Sequence, residues 1–462
     1  MRFLLNIVYM CLLAMAFPWI LYRAVVLGKY RGGWGQKLGG RLPCRKSGSL
    51  CVWFHAVSVG EVNALRPLIE RFQASCPRVD IVVSTTTNTG LEVAQRIYSG
   101  RDVFFCPLDF TWAVRQAVDR IRPDVLVLAE LELWPNLIHE INRRGGRVAL
   151  VNGRLGEKSF RRYRRVRPLV KRMLDRVEMF AVQHKAHARR FKALGAAAAN
   201  LHVTGSMKFD GAETDRYNPR SRQLSRWLDW PKDTTMFLVG STVQPEEKLA
   251  IAVFDRLHTR FPQLRLVLVP RHPERFERVA RLVDESGHRW QRRSQAGDQR
   301  PDPNARILLI DTVGELADWW ALADCGFVGG SLDGKRGGQS MIEPAAYGVP
   351  VCFGPYTHNF RGTVQLLMED RAAVVVEDEL QLERFVVRCL EEPGYASELG
   401  RRSAALVAQQ KGATERTLDL LFQMLPQRAQ EQLGVERIDP AHRCQGPWLT
   451  GPGSMVADQQ HG

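Results

Sequence analysis

Several titratable and hydroxyl-bearing residues stand directly behind apolar runs, where a chain turning out of a strand presents side chains to a ligand. Glu61 closes the segment His55-Ala56-Val57-Ser58-Val59-Gly60-Glu61 and opens a helical pattern. A carboxylate at a helix start beside a cleft can take a proton as a general base, or it can be a first-turn Glu held by the helix dipole. Ser84 to Gly90 is a hydroxyl-rich turn, suited either to binding an anion through backbone amides or to capping the next helix. Glu130 and Glu132 end a buried apolar run, and acids there are costly unless partnered.

A second group lies beyond residue 205. Pro270-Arg271-His272-Pro273-Glu274-Arg275 sets a guanidinium and an imidazole at a helix start, a grip for phosphate. Asp311-Thr312-Val313-Gly314-Glu315-Leu316 follows the next apolar run. Gly329-Gly330-Ser331, Gly337-Gly338-Gln339-Ser340 and Glu343-Pro344-Ala345-Ala346 follow the one after. Glycines let amides approach a nucleotide closely, and a nearby Glu can accept from ribose hydroxyls. In order, each behind a strand, these pieces specify a nucleotide site centred on 329–343.

The elements that must position these residues form a repeating pattern. Strands are expected at 50–57, 80–84, 103–106, 125–130, 148–152 and 179–183, with helical patterns between them. The pattern restarts at 236–240, 265–270, 307–310, 325–329, 349–353 and 373–376, and 395–424 suits one or two amphipathic helices. Continuous apolar strands alternating with helices imply parallel sheets covered on both faces. The fold class is α/β, with two Rossmann-like doubly wound domains facing a central cleft, spanning 29–205 and 206–425. Ligands in such sheets bind at the carboxyl ends of the strands.

Residues 1–28 are expected to be a membrane anchor, because Phe3 to Tyr22 is uncharged and about 20 residues can cross a bilayer core. Flanking positive charge places the remainder in the cytoplasm, and a cleaved signal peptide is the alternative. Residues 426–462 are Gln-, Gly- and Pro-rich, as in a disordered tail. The nine cysteines are scattered without a metal-binding spacing, which fits a reducing compartment. Formal net charge is +16, and 154–176 carries ten Lys or Arg against Glu157 and Asp175. That segment is expected to meet an anionic partner, or else to be a solvated basic helix. No RNA-reading motif accompanies it, so a membrane-tethered nucleic-acid-binding protein is the remote reading.

The motifs HAVSVGE (55–61), ELWPN (132–136), TGSMKFD (204–210), PRHPERF (270–276), DTVGEL (311–316), FVGGS (327–331) and EPAAYGVPV (343–351) together resemble those of the 3-deoxy-D-manno-octulosonic acid (Kdo) transferases. The resemblance runs from the amino terminus to about Gln423. It implies the glycosyltransferase B fold, anchorage in the inner membrane, and inverting transfer of Kdo from CMP-Kdo to a lipid A precursor (lipid IVA) in lipopolysaccharide synthesis. It places the general base at Glu61 and transition-state support at Glu130 and Lys208, with Glu132 close to Glu130. It puts CMP contacts at Arg271, His272, Val313, Gly314, Glu315, Ser340, Met341, Ile342 and Glu343. Departures from the family pattern stand at Val243, Gln339, Ser340 and Tyr356, where histidine or asparagine is usual. A related transferase using a UDP-sugar is therefore the second enzymatic reading. CMP departs with its phosphate already in place, so no metal or other cofactor is expected.

Overall fold

The computed structural model describes residues 2–26, 33–45, 48–297 and 299–426; the expected tail lies outside them from 427 onward. Two compact units are formed. One comprises the chain up to Asp210 together with the chain from Lys411, and the other comprises Gly211–Gln410.

The first unit holds β1 (Cys51–His55), β2 (Asp80–Thr85), β3 (Asp102–Phe105), β4 (Val125–Ala129), β5 (Arg147–Gly153), β6 (Met179–Val182) and β7 (Leu201–Val203), in the order β3-β2-β1-β4-β5-β6-β7. All its neighbours pair in parallel. Every residue of β1 and β4 is buried, because alternate side chains serve opposite faces. Trp53, Leu126, Leu128 and Leu150 enter one core, while Phe54, Val125, Val127 and Val151 enter the other.

The second unit repeats the plan with β8 (Thr235–Thr242), β9 (Leu264–Pro270), β10 (Trp290–Arg292), β11 (Ile307–Leu309), β12 (Cys325–Val328), β13 (Val351–Phe353) and β14 (Val374–Val375). Its order is β10-β11-β9-β8-β12-β13-β14, again parallel throughout. In each sheet the strand order reverses beside the first strand, between β1 and β4 and between β8 and β12. These are the topological switch points where a crevice opens at the strand carboxyl ends. Each apolar run read from the sequence contains a strand. The additional strands β7 and β10 are three-residue edge strands with no fully buried residue, so they lack the apolar run that marks the others.

Two expectations need correcting. The helix Ala413–Gln423 was expected within a second domain ending at 425, yet it belongs to the first unit. Ala413, Leu418 and Leu421 join the core that contains Phe54 and Val127. Asp210 fixes its start by accepting from the backbone N–H groups of Gly412 at 2.7 Å and Thr414 at 2.6 Å. The expected membrane-spanning anchor falls on the helix Arg2–Val26, but among the described residues no helix is long and apolar enough to cross a membrane. This helix instead docks through polar side chains. Asn6 Nδ2 donates to Thr111 Oγ1 at 2.7 Å, and Tyr9 donates its hydroxyl proton to Asp109 Oδ2 at 3.2 Å.

Candidate functional site

In the first unit the switch-point loops after β1 and β4 carry three carboxyl groups, and the turn after β7 brings one lysine to them. The loop after β1 enters the helix Val59–Ser75, whose N-cap is Ser58. Glu61 reaches back from the first turn, accepting from Val57 N–H at 2.9 Å and from the Ser58 hydroxyl at 2.9 Å. Glu61 N–H also donates to Ser58 Oγ at 3.4 Å, which makes this a capping box shifted one residue towards the amino terminus, so the structural role open to Glu61 is real. Those contacts leave Glu61 only partly buried. Burial raises its pKa, the Val57 bond opposes the rise, and the negative field of Glu130 adds to it.

The loop after β4 supplies the other two acids. Glu130 has a left-handed backbone, φ 51°, unusual for a residue with a long side chain. Its N–H nevertheless continues the ladder to Val151 O at 3.0 Å. The turn aims its carboxylate at Lys208, whose Nζ lies 3.1 Å from Glu130 Oε1. Lys208 stands on the short turn Met207–Phe209, and Asn152 Oδ1 accepts from Met207 N–H at 3.4 Å. Asn152 also has a left-handed backbone and was not singled out from sequence. Glu132, two residues on, is pushed up to about 7, chiefly by burial and next by the charge of Glu61. The structure thus assigns separate roles to the two acids: Glu130 pairs with the lysine, and Glu132 stays protonated into the neutral range.

The hydroxyl-rich turn behaves as a brace. Thr85, Thr86 and Thr87 all donate to Val57 O, at 3.1, 3.4 and 3.2 Å, and Thr87 caps the helix Asn88–Ile97. His55 is wholly buried against Ser84 Oγ at 2.8 Å, and desolvation holds it neutral by lowering its pKa to about 4.

Beyond the acids, Leu133 and Pro135 help line a cavity of about 610 Å³, together with Val8, Tyr9, Val170 and Met173. The helices Glu157–Arg165 and Arg167–Leu174, which carry the basic segment, form another of its walls. Arg161 and Lys171 are paired with Glu157 and Asp175, whereas Arg162, Arg164, Arg165, Arg167 and Arg172 are exposed without an acidic partner among the described residues.

In the second unit the predicted donor contacts fall behind β9, β11 and β12, close neighbours in the sheet. Arg271 and His272 follow β9 directly, and Arg271 N–H donates to Thr242 O at 3.0 Å. Val313, Gly314 and Glu315 line a cavity of about 580 Å³ that Arg220, Trp227 and Arg293 also border. Glu315 is held by Thr312 Oγ1 at 2.7 Å and Arg293 Nε at 3.3 Å, while Val313 stands 80 % exposed. Ser340 to Glu343 lead into the short helix Ile342–Ala346. Met341 and Ile342 are buried, so any ligand contact from them runs through the backbone. Arg271, His272 and 340–343 do not border the 580 Å³ cavity.

Glu246, unnoticed in the sequence, organises this switch point. It begins the helix after β8 and is 1 % exposed. Its carboxylate accepts from the N–H groups of Val243 at 3.0 Å, Gly330 at 2.8 Å, Ser331 at 2.9 Å and Leu332 at 3.2 Å. Burial raises its pKa and the four bonds work against the rise. Glu246 is the positional counterpart of Glu61, but it is buried with its carboxylate consumed by loop amides, whereas Glu61 is only partly buried. A Cβ at Gly329 would lie 2.7 Å from Glu246 Oε2, so only glycine fits beside it.

Residues 32–211 match the sequence profile of a family described as 3-deoxy-D-manno-octulosonic-acid transferase (kdotransferase). A 3-deoxy-D-manno-octulosonic acid transferase of Haemophilus influenzae is 32% identical over 378 residues, 80% of this chain and 86% of the relative. The corresponding protein of Bordetella pertussis is 33% identical over 382 residues, covering 80% and 86%. That of Chlamydia trachomatis is 28% identical over 426 residues, covering 91% and 97%. Among solved structures, a Rickettsia africae glycosyltransferase superposes with a TM-score of 0.51 at 11% identity, over 82% of this chain and 100% of its own. A Neisseria meningitidis UDP-GlcNAc 2-epimerase does so with a TM-score of 0.52 at 11% identity, over 81% and 100%. At such identities these structures speak to fold, that of two parallel-sheet α/β domains as in glycosyltransferase B enzymes. The chain is a glycosyltransferase and belongs to the 3-deoxy-D-manno-octulosonic acid transferase family.

Proposed function

We propose that the chain transfers Kdo from CMP-Kdo to an anionic, acylated lipid A precursor at the cytoplasmic face of the inner membrane, inverting the anomeric centre. The observation that carries this reading is the partly exposed Glu61, set at a switch point in the field of the Glu130–Lys208 pair. Glu61 takes the proton of the acceptor hydroxyl as that oxygen attacks the anomeric carbon, and the bond to CMP breaks with its electron pair leaving on the phosphate. Lys208, held by Glu130, offsets negative charge on the reacting sugar. The second unit holds the nucleotide: Arg271 and His272 at the phosphate, the Val313–Glu315 turn and the Ser340–Glu343 backbone along the nucleoside.

The acceptor side is supported by the apolar cavity that shares a loop with Glu130 and Glu132. It suits acyl chains, and the unpaired arginines of 162–172 suit the acceptor's phosphates. The same cations, with the exposed Ile7, Met10, Met15 and Phe17 of the amino-terminal helix, favour attachment to an anionic membrane surface. Neither nucleic acid nor a cofactor is needed for this reaction.

Incubation of purified protein with CMP-Kdo or UDP-sugars and a tetraacylated lipid A precursor, read by mass spectrometry, tests the reading. The expected product carries Kdo and forms only from CMP-Kdo. Transfer from a UDP-sugar instead would overturn the donor assignment and trace to Val243, Gln339, Ser340 and Tyr356.

A further inference from the structure

Asp255 and His258 lie three residues apart at the end of the helix Glu246–Leu257, so they share a face. His288 approaches from the segment just ahead of β10. One ligand atom from each residue lies within 4.8 Å of the others. His288 Nε2 is 3.1 Å from Asp255 Oδ1, and the imidazole centroids of His258 and His288 are 4.6 Å apart at 78°. Phe254 packs on both rings, stacked at 5.8 Å with His258 and edge-on at 5.1 Å with His288, which restrains them and dries one side. His258 Nδ1 is 2.7 Å from the main-chain oxygen of Asp255. Donating its proton there keeps the lone pair on Nε2, where the Thr259 hydroxyl at 3.4 Å is a long contact that an ion would displace, the outer-sphere arrangement that metal-bound imidazoles use.

From this geometry we propose that Asp255, His258 and His288 bind one divalent transition ion of the zinc class. Two imidazoles and a carboxylate suit such ions. Bonds of about 2.0–2.1 Å to a tetrahedral centre require ligand atoms roughly 3.4 Å apart. The Asp255 side chain, 63% exposed, is free to swing and close the remaining distance, with water in the fourth position. Two cations on the same helix end are neutralised, Arg256 by Glu379 and Glu383 and Arg260 by Glu391. The helix Glu246–Leu257 precedes β9 and therefore ends at the amino-terminal side of the sheet, as does the approach to β10. This is the side opposite the loops carrying Arg271 and Glu315. The ion joins the two segments that lead into β9 and β10, a stabilising role separate from sugar transfer.

Full-length, tag-free protein stripped by a chelator and kept reduced should take up one equivalent of Co²⁺ with visible d–d bands, which Zn²⁺ then abolishes by displacement. Zn²⁺ should also raise Tm. His258→Ala and His288→Ala should each weaken binding by at least about 100-fold and remove the Tm rise. Asp255→Asn serves should either histidine variant fail to fold, because its side chain is exposed and outside the Phe254 packing. The absence of a saturable one-equivalent spectrum, unchanged affinity in the variants, or a thiolate charge-transfer band placing the ion at cysteine would overturn the proposal.

Discussion

Glu61→Gln separates the two roles that converge on one side chain. The carboxamide keeps the shape of the carboxylate but takes no proton near neutral pH. In the native protein the group accepts from Val57 N–H and the Ser58 hydroxyl, each at 2.9 Å. Glutamine retains one acceptor oxygen and turns its NH₂ towards the second donor, a loss comparable to a weakened helix cap, about 0.5–2 kcal/mol. Removal of a general base costs roughly 10²–10⁴ in kcat, which is about 2.7–5.4 kcal/mol of barrier at 1.36 per tenfold. The capping loss is read in Tm and the base loss in kcat. Ser58→Ala is the control: it disturbs the same cap while leaving the carboxylate, so it should lower Tm similarly and hold kcat within about tenfold of the parent. CMP release measured across pH supplies the rate. Burial raises the pKa of Glu61, so the acid limb of the native profile should lie above the ordinary carboxylate range and should vanish from the residual activity of Glu61→Gln. Retention of kcat within about fivefold in Glu61→Gln, with only the Tm change, would reduce Glu61 to a cap and refute the assignment.

Further outcomes follow from the neighbouring acids. Glu132, pushed up to about 7, binds more protons folded than unfolded between its ordinary range and neutrality, so its contribution to stability is full below about 4.5 and is lost as pH rises through about 7. Glu132→Gln should remove a fall of roughly 1–3 kcal/mol over that window, discounted for partial solvent access; urea melts at several pH values would show it, and an unchanged slope would contradict it. Glu246→Ala leaves four loop N–H groups without their acceptor and should destabilise the second unit by more than about 3 kcal/mol. A change below about 1 kcal/mol in denaturant unfolding would mean that the switch-point loops hold without it.

Much of the fold could be read directly from residue order. Continuous apolar runs such as Val125–Ala129, separated by amphipathic stretches, specify buried parallel strands, because a strand covered on both faces has no polar side to display. The same reading placed Glu61 at a helix start and the Arg271 and Glu315 segments behind strands, since motif position relative to a strand end is a local property. Tertiary structure decided the remainder. Lys208 and Glu130 are 78 residues apart in sequence, and only the left-handed turn at Glu130 and the Asn152 bond to Met207 determine which acid meets the lysine. Glu246 looked like any first-turn acid until the amides of 330–332 closed around it. The apolar stripe of Ala413–Gln423 predicts a packed helix but does not say on which sheet, and Asp210 settles that by capping it in the first unit. The amino-terminal helix reads as a membrane span by composition, yet Asn6 and Tyr9 tie it to Thr111 and Asp109. Periodicity records whether a residue is buried; which distant residue buries it is fixed only when the chain closes on itself.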